Sequence, residues 1–357
     1  MNKSSFHYGA IAQQTAGIRF DYRSDTVTRP CAVMRQVMSE AQVGDDVYGD
    51  DSEVNALQQE VAQLLGKQAG LFLPTGTMSN LVAVMAHCQR GEELIIGEQY
   101  HIASDEAFGA SVMGSVAIHV LATDAVGAIT PEQVQAAIKP DDSHYAVSKL
   151  LCLENTVSGC IQDQANIDAL VATAKQAGLS VHMDGARLLN AAVAQGMDSA
   201  RLVAGIDSVS LCLSKGLGLP LGSVLVGSEA FIGRARRLRK MVGGGMRQIG
   251  IVAAAGRFAL ANNVARLADD HRRAGELAQG LQAVPGLQVD LQRVQTNMLF
   301  LQSSQMLGLG EYLSQQGILI STFDENCRMV VHKDIDDYAI DQTLKHIKAF
   351  FGLSLVN

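Results

Sequence analysis

Short apolar runs alternate along this 357-residue chain with stretches whose apolar positions recur at helical spacing. Helical patterns such as SNLVAVMAHCQ and IDALVATAKQAG separate the runs GLFLPT, ELIIGE, SVAIHVL, KLLCLENT, LSVHMD, SVSLCLS and GSVLVG. Because these runs are apolar throughout, we expect strands that are buried on both faces. The pattern predicts an α/β fold in which helices cover a mostly parallel sheet.

A different pattern follows the last of these runs. One long helical stretch is predicted from about Gln248 through RFALANNVARLADDHRRAGELAQGLQAV. Beyond it, LQVDLQ, TNMLFLQ, GILIST and CRMVVHK alternate with EYLSQQ and DDYAIDQTLKHIKAFF. We therefore predict a large domain over residues 21–265 and a small α+β domain over residues 266–357, with the boundary inside the long helix. Residues 1–20 are predicted to form a flexible extension.

Composition and charge exclude several classes of protein. Hydrophobic residues make up 48% of the chain, which is enough for a large core. The formal net charge is −8, and basic residues cluster only in RARRLRK, so nucleic acid is not an expected partner. The six cysteines are far apart, which suggests small buried hydrophobes in a reducing compartment and no metal site. No apolar run has the length of a membrane span or signal peptide, so we expect a cytoplasmic protein without membrane contact.

Two apolar runs end on ionisable residues that together suggest pyridoxal phosphate (PLP). LSVHMDGARLLN carries Asp184, with Arg187 one turn further on, and SVSLCLSKGLGLPLGSVLVG carries Lys215. The aldehyde of PLP needs an amine for a Schiff base, and a desolvated lysine can supply it. A carboxylate at a strand end can keep the pyridine nitrogen protonated. Asp184 and Lys215 are the candidates for these two roles.

Each of these residues also has a structural interpretation. An aspartate at a strand end is often a cap, and a lysine after a strand is usually solvated. However, Lys215 interrupts a run that is apolar on both sides, and burying an unpaired ammonium is costly unless the site is built around it. The glycines beside Lys215 suggest a close approach of the backbone to a ligand.

Two further segments could contribute to such a site. PTGTMSN predicts a strand, a turn and a helix start, with Thr77 and Ser79 as candidate caps. Free N–H groups at a helix start bind phosphate, although a plain N-cap explains the segment equally well. His101 follows the strand ELIIGE and could lie over a cofactor ring, but a structural histidine is the alternative.

Taken together, the motifs resemble those of the threonine aldolase family of fold type I PLP enzymes, especially low-specificity L-threonine and L-allo-threonine aldolases. The resemblance rests on DYRSDTVTRP, VGDDVYGDD, LFLPTGTMSNL, LENT, HMDGARLLNA, LSKGLGLPLGSVLVG, RKMVGGGMRQIG, QTNM and CRMVVHKDI, in this order from about Asp21 onward. It implies a large PLP-binding domain and a small C-terminal α+β domain.

The resemblance implies a cofactor role for several residues. Lys215 would hold PLP covalently, and Asp184 would pair with the pyridinium nitrogen. Arg187 would hydrogen-bond the phenolic oxygen. Gly76 and Thr77 would hold the phosphate.

Further implied roles concern the substrate and the assembly. His101 would stack on the pyridine ring and act in catalysis with the lysine and the aspartate. Ser24 and Arg328 would bind the substrate carboxylate, for which arginine is suited by its bidentate geometry. Lys240 and Arg247 match residues that reach the cofactor phosphate of a neighbouring protomer. The family therefore implies a homotetramer, a dimer of dimers.

The implied reaction is the cleavage of a β-hydroxy-α-amino acid. A base removes the β-hydroxyl proton, the Cα–Cβ bond breaks, and the cofactor ring takes up the electrons. Glycine and an aldehyde are the products, and L-threonine or L-allo-threonine is the implied type of substrate.

The chain departs from the family pattern at two points near the expected substrate. The family usually reads NTHN after LCLE, whereas this chain reads NTVSG and has Val157 in place of the second histidine. It also reads HIASDEAFGA where the family has aromatic residues, which places Ala103 and Asp105 there. We expect a wider and more acidic pocket, in which Asp105 could receive a hydroxyl or cationic group. His101 or an ordered water would then carry the proton.

Four hypotheses about the function of the chain remain open. Retained aldolase chemistry is favoured because the cofactor and carboxylate residues are complete, and a larger β-hydroxy amino acid could be the substrate. A PLP-dependent β-eliminating lyase would use the same scaffold and release pyruvate and ammonia. A PLP-binding protein without turnover is a third hypothesis. A dinucleotide-binding oxidoreductase is disfavoured because GLGLPLG lacks the GxGxxG order and opens no helix.

Overall fold

The computed structural model describes Gly17 and residues 19–353 of the chain. Most of the predicted N-terminal extension, residues 1–16 and 18, lies outside the described residues. The strands are β1 Phe20–Asp21, β2 Ala69–Leu73, β3 Glu92–Gly97, β4 Ala117–Leu121, β5 Val147–Glu154, β6 Ser180–Asp184, β7 Ser208–Cys212, β8 Ser223–Gly227, β9 Gln288–Val289, β10 Met298–Gln302, β11 Ile318–Leu319, β12 Ser321–Phe323 and β13 Asn326–Val330.

The α-helices separate these strands, and two short 3₁₀-helices span Asp25–Val27 and Leu291–Arg293. The helices are α1 Ala32–Glu40, α2 Ser52–Leu64, α3 Gly76–His87, α4 His101–Ser104, α5 Gly109–Val112, α6 Pro131–Ala137, α7 Gln164–Gln176, α8 Leu188–Gln195, α9 Ser199–Leu202, α10 Glu229–Met241, α11 Gly250–Asn262, α12 Leu267–Gln282, α13 Met306–Gln315 and α14 Asp337–Phe350. No helix in the described part of the chain is long and apolar enough to cross a membrane.

The chain divides into two compact units. The larger unit is Pro30–Val264, and the smaller unit combines the described residues before Pro30 with residues 265–353. The predicted large domain began at residue 21, whereas in the structure β1 pairs with β11 of the smaller unit. The domain limits drawn from the sequence otherwise stay predictions.

The larger unit contains a seven-stranded sheet with the order β2-β8-β7-β6-β5-β3-β4. The neighbours from β7 through β4 run parallel, and only β8 is antiparallel to its two neighbours. All seven apolar runs form strands of this sheet, which confirms the prediction of a mostly parallel sheet. Strands β7 and β8 are buried at every residue, as expected for a sheet covered on both faces.

The smaller unit has an α+β architecture. Its main sheet has the order β12-β13-β10-β9, with antiparallel neighbours, and β1 pairs in parallel with β11 in a separate ribbon. Apolar residues of α12, α13 and α14 form one core with this sheet, including Leu277, Leu309 and Ile340. The predicted fold class is therefore confirmed for both parts.

The long helix predicted from about Gln248 to residue 284 was wrong. The structure has two helices there, α11 and α12, separated by residues 263–266. Asn263 ends the first helix, and its side-chain amide donates to the carbonyl of Leu217 at 2.7 Å. A polar side chain that bonds elsewhere competes with helix continuation, which periodicity alone does not reveal.

Candidate active site

The carboxyl ends of β5 and β6 place two acidic residues side by side. Glu154 ends β5, Asp184 ends β6, and the two residues are register partners in the parallel ladder. In an open α/β sheet, ligands bind outside the carboxyl ends of the strands. The turn after β6 fixes Asp184, because the N–H of Ala186 donates to its Oδ1 at 2.9 Å. Asp184 is only 4% exposed, so this carboxylate is held within the protein at the expected binding edge.

His101 begins the short helix α4 and contacts two carboxylates. Its backbone N–H donates to Glu154 Oε2 at 2.6 Å, and its Nδ1 lies 2.8 Å from Glu106 Oε1. The hydrogen bond to Glu106 raises the pKa of His101, while burial acts in the opposite direction. A donor at Nδ1 leaves Nε2 as the proton-accepting nitrogen of the neutral ring.

Glu106 and Asp184 share one hydrogen-bond donor. The side-chain nitrogen of Asn80 donates to Glu106 Oε1 at 2.8 Å and to Asp184 Oδ2 at 2.7 Å. Burial raises the pKa of Glu106, and the hydrogen bonds from His101 and Asn80 oppose this effect. Polar atoms of His101, Glu106 and Asp184 all lie within 4.8 Å of one another. The sequence prediction that no metal binds here stays a prediction.

Lys215 lies in the connection between β7 and β8, near this cluster. Its positive charge lowers the pKa of both His101 and Glu154. Burial is the main influence on Glu154 and raises the pKa of that carboxyl, with the charge of Asp184 acting in the same direction. Lys215 is half-buried, and its carbonyl accepts a 2.9 Å hydrogen bond from the N–H of Gly218. A lysine, two histidine-linked carboxylates and a third carboxylate therefore converge at one edge of the sheet.

Two glycines in the connection between β7 and β8, here called the lysine loop, are required by the backbone conformation. Gly218 and Gly222 have φ values of +82° and +118°, which L-residues rarely adopt. A Cβ at Gly222 would lie 2.8 Å from the ring of Phe72, and the N–H of Gly222 donates to the carbonyl of Pro74 at 2.9 Å. At Gly222 the close approach is to Phe72, whereas the sequence suggested approach to a ligand. The same bond ties the lysine loop to the segment before α3.

Helix α3 begins at Gly76 with Thr75 as its N-cap. Thr75 Oγ1 accepts from the N–H of Met78 at 3.0 Å, so the prediction of Thr77 or Ser79 as the cap was wrong. Ser79 is instead buried, and its Oγ accepts from Ser210 Oγ at 2.7 Å. The N–H groups of Gly76 and Thr77 have no acceptor in the described part of the chain. They remain available to an anion at the start of a helix.

Thr75→Ala is expected to lower the free energy of unfolding by about 1 kcal/mol, because the N–H of Met78 loses its acceptor. Thr75→Ser keeps the hydroxyl and should cost only a few tenths of that, roughly 0.3 kcal/mol. Urea denaturation of the cofactor-free protein followed by circular dichroism compares the two variants. Equal losses for alanine and serine would contradict the capping role.

The remaining predicted cofactor residues of the larger unit lie in different settings. Arg187 is half-buried and precedes α8 as its N-cap residue. Lys240 and Arg247 are exposed, and Arg247 Nη1 contacts Asp45 Oδ2 at 3.1 Å. Their roles toward a cofactor stay predictions.

The two residues predicted to bind the substrate carboxylate belong to the smaller unit. Arg328 Nη2 donates to the carbonyl of Arg23 at 3.1 Å, which brings this guanidinium beside the backbone of Ser24. The Nε of Arg328 is buried and has no hydrogen-bond partner among the described residues. Ser24 Oγ accepts from the N–H of Thr26 at 3.2 Å. This pairing suits an anion, and the assignment stays a prediction.

The residues at the two departures from the family pattern are placed differently from one another. Asp105 is exposed, and its Oδ2 accepts from Ser104 Oγ at 2.6 Å. Ala103 and Val157 are 8% and 1% exposed and belong to one buried apolar cluster. The acidic neighbour that faces His101 is Glu106, so the structure adds this residue to the predicted set.

Three residues of the cluster were missed by the sequence analysis: Asn80, Glu106 and Glu154. Asn80 was visible as the polar residue just before the apolar run LVAVMA of α3. Glu154 was visible as the charged end of the strand KLLCLE. Glu106 lies in a segment without periodicity, so no signal distinguished it from Asp105.

Comparison with known proteins agrees with this geometry. A sequence profile of the β-eliminating lyases matches residues 21–304. The low specificity L-threonine aldolase of Escherichia coli O157:H7 is 46% identical over 334 residues, which cover 93% of this chain and 99% of that protein. The structure of a threonine aldolase from Leishmania major superposes with a TM-score of 0.82 at 20% identity, covering 93% of this chain and 99% of that one. A structure of SPT with PLP superposes with a TM-score of 0.71 at 17% identity, covering 94% of this chain and 88% of that one.

The sheet topology is that of the fold type I PLP-dependent enzymes. The profile match covers well over half of the chain, and the identity extends over nearly all of it. The chain belongs to the β-eliminating lyase family, in its threonine aldolase group.

Proposed function

We propose that this protein cleaves β-hydroxy-α-amino acids of the L-threonine and L-allo-threonine type into glycine and an aldehyde, with PLP as its cofactor. The observation that carries the proposal is the 46% identity to a low specificity L-threonine aldolase across 93% of this chain. The family assignment makes it a carbon–carbon lyase that uses PLP.

The residues of the larger unit fit PLP chemically. The free N–H groups at the start of α3 suit the phosphate, and a Cβ at Gly76 would meet nothing within 4 Å, so that side of the helix start is open. Asp184 has two accepted hydrogen bonds and lone pairs left for the pyridine nitrogen. Lys215 would supply the amine, and Arg187 the donor to the phenolic oxygen. PLP, when bound, would act as the electron sink for bond cleavage.

The residues of the chain then orient the substrate and move its proton. Ser24 and Arg328 would bind the amino acid carboxylate and so fix which Cα bond is aligned for cleavage. His101 would take the β-hydroxyl proton at Nε2, since Glu106 occupies Nδ1. Asp105, exposed beside this histidine, would contact the β-substituent of a polar substrate.

Glu106→Gln tests the role of His101 as base. The side-chain oxygen of glutamine can still accept a hydrogen bond from the Nδ1–H of His101, so the tautomer is retained. The negative charge of the carboxylate, which helps to raise the pKa of His101, is lost. Burial then lowers that pKa, and neutral His101 persists to lower pH. The acidic limb of kcat/KM against pH should therefore move to lower pH, measured with L-allo-threonine. Glu132→Gln on the exposed start of α6 is the control, and an unmoved limb would exclude His101 as the titrating base.

Val157→His is expected to destabilise the protein without a gain in kcat. Val157 is 1% exposed, and a Cβ at Gly127 would lie 2.3 Å from its Cγ1, so the imidazole would enter a packed apolar cluster. The free energy of unfolding should fall by about 1–3 kcal/mol. The same change at Val147, which is 58% exposed at the start of β5, should cost at most about 0.5 kcal/mol. Urea midpoints compare the two, and a faster Val157→His enzyme would contradict this.

A homotetramer is part of the proposal. Large apolar side chains lie exposed on the larger unit, and two of them, Val43 and Ile251, line a cavity of about 550 Å³. The exposed set includes Val33, Val43, Val47, Tyr48, Met241 and Ile251. Exposed apolar patches of this kind mark interaction sites. Lys240 and Arg247 are exposed on the same unit and would reach a neighbour's cofactor. Light scattering at dilute protein concentration measures the assembly.

The cytoplasm is the proposed location. All six cysteines are free thiols, and five of them are buried. Free buried thiols persist in a reducing compartment.

The experiment for the reaction is a product assay with L-threonine, L-allo-threonine and larger β-hydroxy amino acids. Glycine and an aldehyde in equal amounts are expected. Pyruvate and ammonia would instead identify β-elimination, the chemistry in the name of the matching family. PLP binding without any product would reject turnover of these substrates.

A further inference from the structure

A line of buried polar side chains leads from the acidic cluster into the larger unit. It runs from Asn80 on α3 through His182 on β6 and Ser208 on β7 to His87 at the end of α3. Asn80, His182 and Ser208 are at most 1% exposed. Buried polar groups are costly unless every one is satisfied, so the line must have a defined arrangement of protons.

The hydrogen bonds fix the orientation of the Asn80 amide. Its nitrogen lies 2.8 Å from Glu106 Oε1 and 2.7 Å from Asp184 Oδ2, which uses both amide protons. Its Oδ1 lies 3.2 Å from His182 Nε2. A flipped amide would set its oxygen against two carboxylates, so the observed orientation is the one that satisfies all partners.

The protons of the two histidines follow from this orientation. Burial lowers the pKa of His182 to about 4 and that of His87 to about 3, so both rings are neutral near pH 7. Asn80 Oδ1 can only accept, so His182 carries its proton on Nε2. Its Nδ1 then accepts from the Ser208 hydroxyl at 2.9 Å, and Ser208 Oγ accepts from His87 Nε2 at 2.7 Å.

We propose that Asn80 is a positioning residue that holds Asp184 and the His101–Glu106 pair in one geometry, and that its Oδ1 is anchored by His182, which Ser208 and His87 support in turn. The inference rests on the proposed PLP function. Asn80 lies four residues after Gly76, on the same face of α3 as the helix start that would hold the phosphate. One helix thus aligns the phosphate end and the pyridine end of the cofactor site.

The first test reads the histidine tautomers in the protein as purified. Nitrogen-15 NMR should find His182 and His87 protonated on Nε2. Ser208→Ala removes the donor to His182 Nδ1, so the Nδ1 signal should move toward that of an unbonded imidazole nitrogen, while the proton stays on Nε2 opposite Asn80 Oδ1. Ser210→Ala, at an equally buried serine two residues along β7 that bonds Ser79 and Ser223, should leave His182 unchanged. A His182 proton on Nδ1 in the parent protein would overturn the proposal.

The second test measures the dissociation constant of PLP by absorbance titration. Asn80→Ala removes the donor to both carboxylates, and the constant should rise about tenfold or more. Ser208→Ala acts on Asn80 only through His182, so it should raise the dissociation constant about twofold to tenfold. Asn166→Ala controls for the loss of an asparagine, because it removes an amide that donates to the carbonyl of Ile129. It should change the dissociation constant of PLP less than about twofold.

The outcomes separate the inference from the proposed function. If the parent protein fails to bind PLP, the proposed function fails, and the tautomers still decide the arrangement around Asn80. If the parent binds PLP and Asn80→Ala binds it equally well while remaining folded by circular dichroism, the positioning role is overturned. Equal effects of Ser208→Ala and Ser210→Ala on PLP affinity would also overturn it.

Discussion

Lys215→Ala should lower kcat/KM for L-threonine by at least about 10³-fold, because the enzyme would lose the amine that we propose holds the cofactor. Lys215 is the lysine whose charge acts on both His101 and Glu154, so its loss also removes the positive charge from the cluster. Borohydride should fix PLP covalently in the parent protein and leave the variant unlabelled. Mass spectrometry of the peptide containing residue 215 measures the labelling.

A second lysine variant controls for general effects of charge removal. Lys175 forms a surface ion pair with Asp207, and Lys175→Ala should retain the parent's activity within about twofold, since such pairs contribute little. If borohydride labels a different lysine in the parent protein, the assignment of Lys215 is wrong. If Lys215→Ala keeps its activity, the proposed covalent role is excluded.

Asp184→Asn should lower kcat by about 10²- to 10³-fold, because the preorganised charge that we propose pairs with the cofactor nitrogen would be lost. The change is nearly isosteric but alters the hydrogen bonding. Both carboxylate oxygens accept N–H groups, from Asn80 and from Ala186, whereas an amide has only one accepting oxygen. Activity at saturating PLP, together with the visible spectrum of the bound cofactor, separates weaker binding from slower chemistry.

The comparison for this variant is a surface aspartate. Asp168 pairs with Arg201 on the outside of the larger unit, and Asp168→Asn should leave kcat within about twofold of the parent value. A parent-like kcat for Asp184→Asn at full PLP occupancy would show that the charge of Asp184 is not needed. The pairing inferred from the sequence would then have to be abandoned.

The second family histidine is replaced by a core residue. Val157 packs in the same apolar cluster as Ala103, whereas Asp105, at the second departure, is exposed. The pocket expected from the sequence was wider and more acidic because of Ala103 and Asp105. In the structure, Ala103 is buried and the acidic contact of His101 comes from Glu106. Proton transfer in the proposed reaction therefore depends on His101 with Glu106 as its partner.

The architecture followed from patterns that are local in the sequence. The strands of the large sheet were readable because each contains a short, largely apolar run, and β7 and β8 are buried at every residue. Asp184 and Lys215 were recognisable because a charged side chain at the end of such a run needs a chemical reason to be there. The break between α11 and α12 was missed because apolar spacing continues across it, while the side chain of Asn263 bonds to Leu217 far along the chain.

The sequence by itself determined the fold class, the family and the candidate lysine and aspartate of this protein. Only the tertiary structure showed that Asn80, from a helix more than a hundred residues before Asp184, gives one proton to that aspartate and one to Glu106. Side-chain partners distant in the chain leave no periodic signal, because hydrogen bonding depends on where the parallel strands and α3 bring their ends together. Periodicity reports which face of an element is buried, and it carries no information on which buried polar groups meet.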